Sequence, residues 1–156
     1  MKMKPGANRQ LGLAMLTLLA ASLCIAQTQP TQETDLEVTD VQFEPLRQGK
    51  NVVRVQVRNP SGKDQVFRTH IFSRSPEYGR GGIGWGTGFF KTISAGKTVW
   101  TRFVFKIQGP LTANTYIRLT FSNPGPQDSF DEEAWLEQEG WNRWFKRTEY
   151  PASDLA

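Results

Sequence analysis

His70 is the only histidine in the chain and Cys24 the only cysteine, so nucleophilic or metal chemistry has few places to start. A Ser-His-Asp or Cys-His system would have to be built on His70. No serine elbow and no second titratable partner stands beside it, and a structural strand histidine is the better reading. Zinc wants three or four Cys, His or carboxylate ligands, and one His without a downstream Cys does not supply the usual set. Asp128, Asp131 and Glu132 form an acidic cluster that invites calcium, but they are better explained by the preference of helix starts for negative charge. Gly79-x-Gly81-x-x-Gly84 has the spacing of the dinucleotide fingerprint, which works only between a strand and a helix whose N-terminus receives the pyrophosphate. No helical pattern follows it. Gly96-Lys97-Thr98 is like the end of a phosphate loop, yet Lys91 holds the position of the earlier glycine, so a tight turn is expected there. Adjacent acids in the tail lack the opposed placement across a sugar that glycoside hydrolysis needs. The expectation is a protein without catalytic residues, metal or cofactor.

What remains is aromatic. The chain has five tryptophans, and Trp85 sits in a glycine-rich stretch with Tyr78 and Arg80 before it and Phe89 and Phe90 after it. Exposed rings stack on sugars or pack on protein partners, and arginine adds directed hydrogen bonds. Tyr78, Arg80, Trp85 and Phe89 are therefore the candidate binding residues. The competing reading folds Trp85, Phe89 and Phe90 back over one end of the domain, the glycines letting the chain turn inward. Trp135, Trp141 and Trp144 are expected to pack the tail over an open sheet.

The elements that must carry these residues are mostly strands. Leu36 and Val38 alternate with polar residues before the parity shifts to Val41 and Phe43, which predicts a first strand with a bulge. Val53, Val55 and Val57 alternate with Arg54, Gln56 and Arg58, the period of a half-buried strand, and Asn59-Pro60-Ser61-Gly62 is the turn after it. Gln65 to Ser73 is apolar on both parities, as an inner strand would be. Ser75 to Gly88 reads as irregular. Ser94 to Lys97 then forms a tight turn into a strand over Thr98 to Ile107, and Tyr116 to Ser122 is another, with Ile117, Leu119 and Phe121 inward.

Ser129 and Glu132 are spaced as a capping box for a short helix from about Phe130 to Glu139, with Gly140 ending it in the left-handed conformation. Arg143 to Tyr150 then supplies a closing strand. The rival reading continues one helix to Lys146, with Phe130, Ala134, Trp141 and Phe145 on one face.

Strands at this spacing, punctuated by Gly, Pro and Asn turns, predict an all-β, immunoglobulin-like antiparallel β-sandwich of about seven strands with a short helix near the C-terminus. Asp35-Leu36-Glu37-Val38-Thr39-Asp40-Val41, the strand from Val53 to Asn59 with its Asn-Pro-Ser-Gly turn, Ile93 to Thr98 and the Tyr116 to Phe121 strand resemble bacterial CARDB-like and fibronectin type III-like extracellular domains. The likeness runs over roughly Asp35 to Ser122. It implies the sandwich fold, and domains of that kind mostly serve as adhesion, spacer or binding modules. The glycine-aromatic insert and the acidic-aromatic tail depart from the pattern.

Lys2, Lys4 and Arg9 precede a largely apolar run from Leu11 to Ala26, which reads as a secretory signal peptide over 1–26. At about 16 residues, roughly 24 Å as a helix, the run falls short of the ~30 Å hydrocarbon core, so stable membrane insertion is not expected. Cys24 offers a competing lipid anchor, although bulky Leu23 stands where a lipobox wants a small residue. A polar spacer over 27–34, one domain over 35–150 and a tail over 151–156 complete the division. Sixteen basic residues then face fifteen acids in the exported chain, close to neutral. The Lys and Arg residues alternate along strands and mix with acids, which argues against nucleic acid as a partner. The sequence thus points to a secreted or periplasmic binding or structural module. Its expected partner is an envelope or extracellular protein, with carbohydrate as the alternative.

Overall fold

A computed structural model describes residues 34–78, 84–138 and 140–155, with the backbone alone described at 84–87 and 141. The expected signal peptide, Cys24, nearly all of the spacer and Arg80 lie outside these residues. Seven strands form two antiparallel sheets. They are β1 (Glu37–Phe43), β2 (Gly49–Arg58), β3 (Gln65–Arg74), β4 (Gly84–Ile93), β5 (Thr98–Ile107), β6 (Tyr116–Pro126) and β7 (Lys146–Pro151). One sheet has the order β1-β2-β5 and the other β4-β3-β6-β7. This is the all-β sandwich that the alternation predicts.

The core is where the inward parities meet. Val53, Val55 and Val57 of β2 pack with Phe67 and Ile71 of β3, Phe103 and Ile107 of β5, and Ile117, Leu119 and Phe121 of β6. Phe67 stacks on Phe121 at 5.7 Å between ring centroids. Each such side chain contributes roughly 1.5–3 kcal/mol by leaving water. The bulge in β1 falls between Val38 and Asp40, where the parity shift placed it. β1 and β7 close one side through Phe43 and Tyr150, 5.0 Å apart.

One end is knit by Asn59, which is fully buried. Its Nδ2 donates to the carbonyls of Lys63 and Ile93, both at 2.8 Å. Its Oδ1 accepts from the Ser61 amide and hydroxyl at 3.0 and 2.7 Å. The Asn59 amide reaches the Lys97 carbonyl at 2.8 Å, and Gly96 donates to Ser61 at 3.1 Å. Gly96, at φ 68°, makes the tight turn expected at Ser94 to Lys97.

Three expectations are corrected. The chain is already in β4 from Gly84, so the glycine-rich stretch is irregular over less of its length than its composition suggests; pairing with β3 overrides weak strand propensity. β6 runs on to Pro126. The helix, α1, covers only Glu132–Glu137, and its cap is Asp131, whose carboxylate accepts from the Ala134 amide at 3.0 Å. Ser129 instead donates to the Pro126 carbonyl, and Gly140 opens a 3-10 turn over Gly140–Asn142. Helix followed by strand is the arrangement found, with β7 beginning at Lys146.

Candidate functional site

Alternation along β3 sends Val66, Arg68, His70, Phe72 and Arg74 to the outward side of the four-stranded sheet, and its two halves differ. At the Arg68 end the tail closes over the sheet. Trp135 of α1 is buried, and its ring lies 5.2 Å from the Arg68 guanidinium carbon, with the Phe90 ring at 5.6 Å. Phe90 meets Trp135 edge-on at 5.9 Å and Phe130 at 5.3 Å. A buried guanidinium between ring faces is a cation–π arrangement. Burial lowers the pKa of Arg68, and the charge of Glu132 works against that shift. Two glycines make room. A Cβ at Gly88 would come within 2.6 Å of Arg68 Nη2, and one at Gly140 within 2.3 Å of Trp135 Cε3. Beside this cover an open depression of about 330 Å³ is lined by residues including Val66, Phe90, Phe130 and Glu132. Its titratable lining residues are Glu132 and Lys91.

The other half carries a row of half-buried side chains. Phe72 on β3 pairs with Arg118 on β6, and Arg74 with Tyr116. Arg74 and Arg118 each lie 6.0 Å from the Phe72 ring centre, and Arg118 lies 5.7 Å from that of Tyr116. Arg118 Nε donates to Glu149 Oε1 at 2.8 Å and Arg147 Nη2 to the same oxygen at 3.0 Å. The hydrogen bond from Arg147, and then the bond and charge of Arg118, hold the Glu149 carboxyl below the usual range against some desolvation. Where β3 ends and β6 begins, buried Ser75 lies 2.7 and 2.8 Å from the hydroxyls of Thr112 and Thr115. Glu77 accepts from Asn114 at 2.6 Å and from Thr112 at 3.0 Å. Its own backbone amide, followed by Asn114, lowers its pKa. Tyr78 follows, 46% exposed, on a turn held by its amide to the Ser75 carbonyl.

The four candidate binding residues part company. Tyr78 is exposed. Trp85 stands on β4 opposite Phe72, its side chain outside the described part. Phe89 turns inward, half-buried, 5.5 Å from Phe103, and packs against the core. His70 pairs across to Gly88 and Thr120, between the two halves. Asp131 is occupied as a cap, and among the described residues no three His, Cys, Asp or Glu side chains come together as metal ligands. Phe72, Arg74, Tyr116 and Arg118 escaped sequence reading because they come from strands more than forty residues apart. The usable signal was aromatic and arginine alternating on the outward parity of both strands. No described helix is long and apolar enough to cross a membrane. The chain matches no model of a known protein family and no curated protein sequence.

Proposed function

We propose that the chain is an exported, non-enzymatic binding module of the cell envelope that engages a protein partner through the Phe72–Arg118 half of the four-stranded sheet and the Tyr78 turn. The observation that carries this reading is the row Arg74, Phe72, Arg118 and Tyr116, guanidinium alternating with ring, on the outward side of β3 and β6 at the end of the sheet where exposed Tyr78 follows. Tyr and Arg are the residue types that dominate binding energy at protein interfaces, because each offers a large rigid surface together with directed hydrogen bonds. Paired charges hold the row in place before any partner arrives, which lowers the ordering cost of binding. The signal peptide expected over 1–26 supports the export part of this reading.

Capture of envelope proteins on the purified chain, repeated with Tyr78→Ala and Arg74→Glu, tests it. A partner held by the parent chain should be lost in both variants while their melting stays near that of the parent. Capture indifferent to both changes would overturn the assignment of this face.

A further inference from the structure

The outward side of the three-stranded sheet carries a separate surface. β2 and β5 pair so that Lys50 faces Lys106 and Arg54 faces Arg102. All four side chains are exposed, and none has a carboxylate within ion-pair distance among the described residues, whose ion pairs are Arg58 with Glu37 and Glu149 with Arg118 and Arg147. The acids of β1 are engaged elsewhere. Glu37 lies 3.2 Å from Arg58, and Asp40 accepts from Gln42 Nε2 and the Val41 amide. Like charges directly opposite on neighbouring strands repel, so these pairs weaken the sheet that carries them. On the same parity of β5, two residues from Arg102, Trp100 is 44% exposed and pairs with Gln56.

We propose that this face binds an acidic polysaccharide of the uronic-acid type, its carboxylates meeting the two cation pairs and one sugar ring stacking on Trp100. The pairs stand four residues apart, about 13 Å along the strands, which suits a linear polymer with repeated charges rather than a single small anion. Gln56 Nε2 offers a sugar hydroxyl a donor beside the indole, while its Oε1 accepts from Thr39 Oγ1 at 2.8 Å. The composition of the face selects among polyanions. A bilayer surface is held by a belt of apolar side chains that can be buried in it, and Trp100 is the one exposed large apolar residue on this side among the described residues. Single-stranded nucleic acid is held by several rings that stack successive bases, and here there is one. The inference does not rest on the protein-partner reading, which uses the opposite face.

Calorimetry of the purified chain with alginate, against neutral dextran, phosphatidylglycerol vesicles and oligo-thymidylate, tests it, with melting recorded for every variant. Alginate should bind and dextran should not, and binding should weaken as salt screens the charges. Trp100→Ala should weaken alginate binding about tenfold at unchanged melting, as loss of one stacked ring does, while Trp100→Phe retains most of it. The double change Arg54→Glu with Arg102→Glu should abolish it, and Tyr78→Ala should leave it intact. Absence of alginate binding would overturn the proposal. So would tighter binding to vesicles or to the oligonucleotide, or binding of all three polyanions alike with no response to Trp100→Ala.

Discussion

On one outward face of the sandwich Arg68, Arg74 and Arg118 each lie over an aromatic ring, whereas on the other Arg54 and Arg102 lie opposite each other. The same residue type is thus placed in two ways, and the neighbouring strand decides which. β3 is flanked by strands that bring Phe90, Tyr116 and, one strand further, Glu149; β2 is flanked by a strand that brings more cations. A charge already matched by its own fold stabilises the domain and is held in position. A charge set against its like weakens the domain and is relieved by an anion from outside.

Trp135→Ala tests the contrast most severely. It removes the ring over Arg68 and should lower stability by about 3–5 kcal/mol in denaturant unfolding, as truncation of buried aromatics does. Unchanged stability would mean that the tail is not a working cover. Gly140→Ala drives a methyl group into the same ring and should lose roughly 1–3 kcal/mol by overpacking, read from the same unfolding curves.

Arg118→Ala should cost about 1 kcal/mol, since its contacts are partly exposed. Its pH dependence is informative. The lowered carboxyl of Glu149 stabilises the fold fully above the unfolded-state carboxylate pKa, and that contribution is lost as pH falls through the lowered value. Melting temperatures of the parent and Arg118→Ala should therefore draw together in acid. The smallest effect has the opposite sign. Arg102→Glu places an acid across from Arg54 and should raise stability by roughly 0.2–1 kcal/mol while weakening polyuronate binding. A destabilised Arg102→Glu would show that the facing arginines are not in conflict, and the comparison between the two faces would fail.

The strands and their inward faces were legible because a period of two is written along each strand: Val53, Val55 and Val57 inward, Arg54 and Arg58 outward. The bulge of β1 was legible as a change of parity. Which strand lies beside which was not. Basic residues that alternate with apolar ones look dispersed in sequence, yet two such strands in register gather them into one patch, as Arg54 and Arg102 show. The cap was misplaced from Asp131 to Ser129 because both residues suit the role, and the choice depends on where the chain leaves the preceding 3-10 turn. The direction of Phe89 was hidden for a similar reason. Its inward direction follows from the pairing of β4 with β3, which the glycines conceal.

The bond from Asn59 to the carbonyl of Ile93 spans 34 residues and joins the end of a strand in one sheet to the end of a strand in the other. Lys63 and Ser61 supply local partners, but the second hydrogen of that buried amide has its acceptor only once β4 has folded over β2. Neither sheet can finish this end alone. Assembly of the two layers is therefore coupled at Asn59, a non-local step of the kind that places sandwich topologies among the slower folders. Until that step is complete, one hydrogen of the Asn59 amide must be satisfied by water, so closing this end of the domain and drying it are one event.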